Sequence, residues 1–204
     1  MAEDMAETGS VGFYRRSMYI LSSNPVSFVA LGAFGVIVLA AIFGPSLVPY
    51  DPLLTNASNA LQPPSLAHWF GTDQLGRDVF SRVLVATRLD LMISVLAVAL
   101  YFVVGAAIGT AAGYYGGWVD RVASRVVDTI MAFPLFVLAM GIVAALGNTV
   151  ENIVYATAVI NVPFYARVAR AEANVRRNAG FIQAAKLGGN SDFRIIAMHL
   201  FPNA

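Results

Sequence analysis

The sequence predicts an all-α, polytopic membrane protein with four transmembrane helices and a cytoplasmic helix-turn-helix. The first observation is composition: 58% of the 204 residues are hydrophobic and 12% are charged, against about 45–50% and about 25% in soluble domains. The mean hydropathy is +0.68. The solvent for most of the chain is therefore membrane lipid. The absence of cysteine excludes a disulfide scaffold and thiolate metal sites, and a net charge of +1 gives no case for nucleic-acid binding.

The second observation is the spacing of the charges. Uncharged runs of 34, 29 and 22 residues separate Arg16 from Asp51, Asp90 from Asp120, and Asp128 from Glu151. Each exceeds the roughly 20 residues that a helix needs to cross the hydrocarbon. A fourth run of 15 residues can span only if its flanking charges mark the two mouths, and a buried re-entrant segment is the alternative. The predicted spans are 25–43, 89–113, 118–146 and 149–170.

Proline, glycine and asparagine mark the ends of these helices. Asn24 can cap the first span, because its side chain accepts from free N–H groups and Pro25 gives up only an unpaired donor. Gly44-Pro45 is expected to end it. Pro134 and Pro163 are predicted to kink the third and fourth spans.

The third observation is the asymmetry of the basic residues. With four spans, 10 of the 13 basic residues fall on one side of the membrane. The positive-inside rule therefore places both ends of this chain in the cytoplasm. The first residues are acidic, unlike a signal peptide, and we expect residues 1–14 to form a disordered cytoplasmic arm.

Three glycines in the second span recur every four residues: Gly105, Gly109 and Gly113. This spacing puts them on one helix face, where another backbone can approach closely. The pattern predicts a helix-packing seam, and a seam that slides during a conformational cycle is the alternative.

Between the first two spans lies a long outer segment, residues 44–87, that is rich in turn-forming residues. A connection this long is usually functional or carries structure of its own. Leu75, Val79, Arg82 and Val83 have helical spacing, so part of the segment is expected to lie along the membrane surface. His68 has no partner at metal-ligand spacing, so a zinc site is not expected.

The last stretch of the chain is predicted to form a helix-turn-helix. Residues 181–189 form a short helix ended by glycine, and Asn190-Ser191-Asp192 can cap a second one. In that second helix Phe193, Ile196, Ala197 and Leu200 have the spacing of one apolar stripe. The pattern favours a plug for a partner protein, and an amphipathic hairpin lying on its own membrane domain is the alternative.

This stretch carries a family resemblance. Gln183-Ala-Ala-Lys-Leu-Gly-Gly189, followed by His199-Leu-Phe-Pro202-Asn203, resembles the Glu-Ala-Ala coupling loop of ABC-importer permeases. The Phe70–Arg82 segment, Gly116–Asp120 and Phe133-Pro134 resemble the second, C-type permease subunit of dipeptide, oligopeptide and nickel importers. The resemblance runs from about Arg15 to the last residue, which implies a permease domain over 15–204 with a coupling loop at 181–203.

The resemblance implies a multi-pass subunit of the bacterial inner membrane. Its partners would be a second homologous permease, two cytoplasmic ATPases, an extracytoplasmic solute-binding protein and membrane lipid, with no nucleic acid. The chain itself would be no enzyme and would bind no cofactor, because ATP and Mg²⁺ belong to the ATPases and the phosphate-loop motif does not occur here. The resemblance assigns these residues to the ATPase-coupling loop: Gln183, Ala184, Ala185, Gly189, Phe193, His199 and Pro202. It assigns these to the outer gate or binding-protein side: Gly71, Thr72, Asp73, Gly76, Arg77 and Asp78.

The chain departs from the family pattern at two points. Gln183 stands where the motif has Glu, which removes a charge but keeps a helix-forming side chain able to hydrogen-bond. Family members continue into two further spans, six in total, whereas this chain stops at Ala204. We expect either a fragment of a longer permease or a truncated product that cannot transport alone.

Other functions are weaker hypotheses. A channel or secondary transporter needs ionisable groups facing a cavity, and Asp128 is expected to form a structural pair with Arg125 instead. An enzyme needs a catalytic cluster, which His68 and His199 on opposite sides cannot form. A non-transporting assembly or scaffold subunit is the main rival. Peptides are the expected solute by family frequency alone, with nickel or another small solute as the alternative.

Overall fold

The computed structural model describes residues 24–203, and this part of the chain is helical, with no strand. The prediction of an all-α fold is confirmed. The arm predicted for residues 1–14 lies outside the described residues. The helices are α1 (Pro25–Leu47), α2 (Val79–Tyr115), α3 (Gly117–Met131), α4 (Leu135–Leu146), α5 (Val150–Arg176), α6 (Gly180–Leu187) and α7 (Asp192–Arg194). A 3₁₀ turn (Ala57–Asn59) precedes α2, and a π-helical turn (Ile195–Leu200) and a second 3₁₀ turn (Phe201–Asn203) follow α7.

The described part of the chain divides into two compact units, a first one that ends at Leu91 and a second one that begins at Met92. In the first unit, α1 begins at the predicted cap, where the Val26 N–H donates to Asn24 Oδ1 at 3.1 Å. The helix continues through Pro45 to Leu47 and so passes the predicted end at Gly44-Pro45. A proline in the last turn costs the helix one backbone hydrogen bond. Gly44 allows close packing, because a Cβ there would lie 2.9 Å from the Leu84 carbonyl oxygen.

Two of the described helices, α1 and α2, are long and apolar enough to cross a membrane. The pair α3 and α4 adds a third span if it is one broken element, but the two helices are bent by 91°. The kink predicted at Pro134 within 118–146 is therefore a 91° break between two helices. Pro134 ends the continuity, because a proline disfavours helical geometry at the residue before it. Helix length and composition alone therefore support two or three spans, fewer than the four predicted.

In the second unit, α2 and α5 pack at the predicted glycine positions. A Cβ on Gly105 would lie 2.8 Å from both the Val162 carbonyl oxygen and Tyr165 Cβ. A Cβ on Gly109 would collide with the Ala166 carbonyl, and one on Gly113 would lie 2.7 Å from Ala173 Cβ. Only glycine permits this backbone approach. α5 runs through Pro163 without interruption.

The chain ends in a segment that we call the C-terminal hairpin, residues 180–203. Gly188 ends α6, and Gly189 adopts the left-handed conformation (φ +76°) that favours glycine. Ser191 then caps α7, with its Oγ accepting from the Arg194 N–H at 3.4 Å.

The apolar stripe predicted for the second helix of this hairpin is wrong in register. Ile195 and Leu200 are fully buried, whereas Phe193 is 81% exposed. The π-helical turn explains the change, because its i→i+5 bonding widens the helix and brings Ile195 and Leu200 to the same side.

Candidate functional site

The C-terminal hairpin is anchored on a small apolar core at the end of α2. This core consists of Tyr114, Ala173, Ile182, Ile195 and Leu200. The Tyr114 hydroxyl donates to Asp192 Oδ1 at 2.6 Å, and the Lys186 ammonium lies 4.8 Å from the centre of the Tyr114 ring, within cation–π range. The hairpin is therefore a fixed projection with a defined base.

The opposite side of the hairpin is an exposed apolar knob. Leu187 is 90% exposed and Phe193 is 81% exposed, on either side of the glycine turn. Asn190 braces this turn, since its Nδ2 donates to the Ala185 carbonyl at 3.0 Å. Large exposed apolar side chains on a turn that is braced by a side-chain hydrogen bond are typical of an interaction site.

The structure places all seven residues of the predicted coupling loop on this hairpin. Five of them are exposed, and two are partly buried. The exposed ones are Gln183, Ala184, Gly189, Phe193 and Pro202; the partly buried ones are Ala185 and His199. Leu187 and Tyr114 were missed by sequence reasoning. Leu187 stands in the motif itself and could have been chosen as a large apolar residue next to the turn.

In the outer segment, Asp73 is the centre of a polar network. Its Oδ1 accepts from the N–H groups of Leu75 (2.8 Å) and Arg77 (3.0 Å). Its Oδ2 accepts from Arg77 Nε (2.8 Å) and Arg82 Nη1 (2.7 Å). Desolvation raises the pKa of Asp73, but the hydrogen bonds and the Arg77 charge outweigh it and hold the pKa at about 2, against the ordinary 3.8.

A second carboxylate in this segment, Asp78, is 3% exposed. It faces His68 Nδ1 at 2.9 Å and accepts from the Ser81 hydroxyl at 2.7 Å. Burial raises the pKa of Asp78, but the hydrogen bonds from Ser81 and His68 lower it below its ordinary value. His68, which has no partner at metal-ligand spacing in the sequence, also lies against the Tyr50 ring, with 4.8 Å between the ring centroids. No group of three or more metal-ligating side chains occurs among residues 24–203.

The six residues predicted to face the outer partner are buried or partly buried. Gly71, Thr72, Gly76 and Asp78 are buried, and Asp73 and Arg77 are partly buried. Gly76 has φ +71°, and a Cβ there would collide with the Asn56 carbonyl. These residues form the internal framework of the outer segment. Its exposed apolar surface comes from other side chains, among them Leu53, Leu66 and Trp69.

A cavity of about 490 Å³ in the second unit is bordered by α2, α3 and α5. Two ion pairs join α3 to α5 at its edge. Asp128 accepts from Arg167 Nη2 at 2.8 Å, and Asp120 accepts from Arg170, with Nη2 to Oδ2 at 2.7 Å. The expected pairing of Asp128 with Arg125 is wrong, because Arg167 reaches Asp128 from the neighbouring helix.

Comparison with known proteins identifies the family. Residues 104–204 match the family described as the binding-protein-dependent transport system inner membrane component. Residues 12–64 match the N-terminal TM domain of oligopeptide transport permease C. The chain belongs to this permease family. The matched range of the first family includes the whole glycine seam and the C-terminal hairpin, and the resemblance stated from the sequence is confirmed.

Similar members of the permease family are named for peptide transport. The dipeptide transport system permease protein DppC of Alkalihalophilus pseudofirmus is 40% identical over 195 residues, which are 96% of this chain and 64% of the relative. The glutathione transport system permease protein GsiD of Pectobacterium atrosepticum is 37% identical over 178 residues, 86% of this chain and 59% of the relative. The chain thus spans less than two thirds of the length of these relatives.

Proposed function

We propose that this chain belongs to one of the two transmembrane permease subunits of an ATP-driven ABC importer in the bacterial inner membrane. It lines part of the pathway for peptides or similar small solutes that a solute-binding protein delivers. The observation that carries the proposal is the exposed apolar knob of Leu187 and Phe193 on an anchored hairpin, in a chain that matches the permease family over residues 104–204. The names of the relatives support peptides as the solute class.

The knob is the docking point for a cytoplasmic ATPase subunit. Helical segments commonly insert large apolar anchors into a groove of their partner, and the two knob residues are large enough to act as such anchors. The importer would contain two ATPases, a second homologous permease and the binding protein. ATP and Mg²⁺ would bind to the ATPases, and this chain would transmit movement without performing covalent chemistry.

The orientation proposed is cytoplasmic at both ends of this chain, with α1, α2, the broken α3–α4 pair and α5 as the four spans. The basic residues support it, because Arg176, Arg177, Lys186 and Arg194 then lie with the hairpin on the cytoplasmic side. The outer segment would face the binding protein, with Leu53, Leu66 and Trp69 as its exposed apolar residues.

A pull-down tests the docking proposal. The chain is expressed with the gene products of its genomic neighbours, purified in detergent and analysed by mass spectrometry. Phe193→Asp is expected to reduce ATPase recovery by tenfold or more, because it places a charge in an apolar contact (roughly 1.4 kcal/mol per tenfold). Gly189→Pro is expected to do the same, since the left-handed φ of +76° is closed to proline.

The matched control is Leu66→Asp, which puts the same charge at a leucine of the outer segment that is 98% exposed. This variant should keep full ATPase recovery. Normal recovery with Phe193→Asp would refute docking at the knob. Recovery of ATPases that never hydrolyse ATP faster with binding protein would favour the scaffold alternative.

A further inference from the structure

We infer that Tyr114 is a positioning residue that transmits movement from the C-terminal hairpin to α2 through its hydrogen bond with Asp192. This inference rests on the proposed function, because it concerns how an ATPase docked on the hairpin would move a membrane helix. Tyr114 is not among the residues that the Glu-Ala-Ala motif assigns to the coupling loop.

The hydrogen bond lies at the junction of the two parts that must move together. Tyr114 is in the last turn of α2 and is 7% exposed, and its hydroxyl donates to Asp192 Oδ1 at 2.6 Å. Asp192 is the first residue of α7 and directly precedes Phe193 of the knob. A displacement of Phe193 therefore also displaces the Asp192 carboxylate, because the two residues are consecutive in the chain.

The bond adds direction to a contact that otherwise consists of apolar packing and the Lys186 cation–π contact. Around the Tyr114 ring, Ile182, Ile195 and Leu200 are fully buried. Apolar packing resists separation, but it is non-directional. A hydrogen bond with an ionised acceptor is short and depends on angle, so it holds the hairpin at one register on the end of α2.

The packing of α2 on α5 beside Tyr114 is also fixed. α2 cannot approach α5 more closely along the glycine seam, because even a Cβ on Gly113 would lie 2.7 Å from Ala173 Cβ. Ala173 belongs to the same core as Tyr114. A force arriving at Asp192 is therefore passed to α2 and α5 together and is not lost in repacking between them.

The first test measures the register of the hairpin directly. The sequence has no cysteine, so Val103→Cys on α2 and Met198→Cys on the hairpin, both more than half exposed, introduce a unique pair of labelling sites in this chain. Spin-label distances are measured in the assembled importer, without nucleotide and with ATP and vanadate. We expect one narrow distance in the parent and a broadened distribution with Tyr114→Phe.

Tyr115→Phe is the matched control, because it removes the hydroxyl of the next residue, which is 52% exposed. Tyr114→Phe keeps the buried ring, and the exposed Asp192 carboxylate can bond to water, so folding is preserved. Asp192→Asn retains an acceptor oxygen and should keep the narrow distribution, whereas Asp192→Ala should broaden it. The double variant Tyr114→Phe/Asp192→Ala should be no broader than either single one.

The second test measures coupling in the same preparations, as radiolabelled dialanine taken up per ATP hydrolysed. Tyr114→Phe should lower this ratio roughly tenfold, the factor expected for losing a hydrogen bond to a charged acceptor, with ATPase recovery unchanged. An unchanged distance distribution in both nucleotide states would overturn the inference. Failure of the ATPases to co-purify with the parent chain would instead overturn the proposed function, and the same spin-label distances, measured in the purified chain without nucleotide, would still test the Tyr114–Asp192 link.

Discussion

The outer segment and the C-terminal hairpin are both extramembranous connections in the proposed topology, but they are held in opposite ways. The outer segment is organised around buried or partly buried carboxylates, with Asp73 and Asp78 each making several hydrogen bonds. The hairpin is organised around apolar side chains, with Ile195 and Leu200 fully buried. The polar network fixes the geometry within the outer segment, whereas the apolar core and the Tyr114–Asp192 hydrogen bond fix the hairpin to the end of α2, so that the hairpin and α2 move together. The outer segment is therefore suited to forming a rigid outer surface, and the hairpin is suited to transmitting movement to α2.

The largest expected effect comes from Gly76→Ala in the outer segment. The new Cβ would meet the Asn56 carbonyl at a backbone angle, φ +71°, that only glycine adopts readily. We expect a loss of about 3 kcal/mol or more in unfolding free energy, measured by thermal unfolding in detergent. Gly141→Ala is the control, because a Cβ there meets nothing within 4 Å. Equal stability of the two variants would contradict a rigidly fixed segment.

The helices and their ends were accessible from the sequence because they depend on local chemistry. Asn24 caps α1 and the glycine pair ends α6, as predicted from neighbouring residues. The partners of His68, Asp128 and Tyr114 were not accessible, because each pair joins residues 10 to 78 positions apart. The π-helical register was missed for a related reason: Ile195 is buried in the core with Tyr114, a residue distant in sequence, and the periodicity of an ordinary α-helix does not include this contact.

An intermediate effect is expected from Leu200→Ala in the hairpin. Leu200 is fully buried in the core around Tyr114, and truncating such a side chain costs about 2–5 kcal/mol. We expect the hairpin to detach while α1 and α2 stay inserted, so that trypsin cleaves after Lys186 and Arg194 at least tenfold faster. Met198→Ala, at a position 62% exposed, should leave cleavage unchanged. Fast cleavage in both variants would mean that the core does not hold the hairpin.

The smallest effect is a pH dependence confined to the outer segment. The pKa of Asp73 is lowered from 3.8 to about 2 in the folded chain. A depressed pKa means that this stabilisation is complete above about pH 4 and is lost as the pH falls towards 2. Pepsin should therefore cleave the segment increasingly below pH 4. The Asp73→Asn variant should be cleaved faster than the parent chain at pH 5, and its cleavage rate should change less between pH 5 and pH 2. Parallel pH profiles of cleavage for the two chains would refute the role of Asp73.

Photo-crosslinking can show whether the knob of the C-terminal hairpin contacts an ATPase subunit. A photoreactive residue is placed at Leu187, which is 90% exposed, and in a matched chain at Leu66 of the outer segment, in cells that express the neighbouring genes. We expect an adduct between position 187 and an ATPase subunit, and no such adduct from position 66. Adducts of position 187 with lipid or with the permease alone would contradict it.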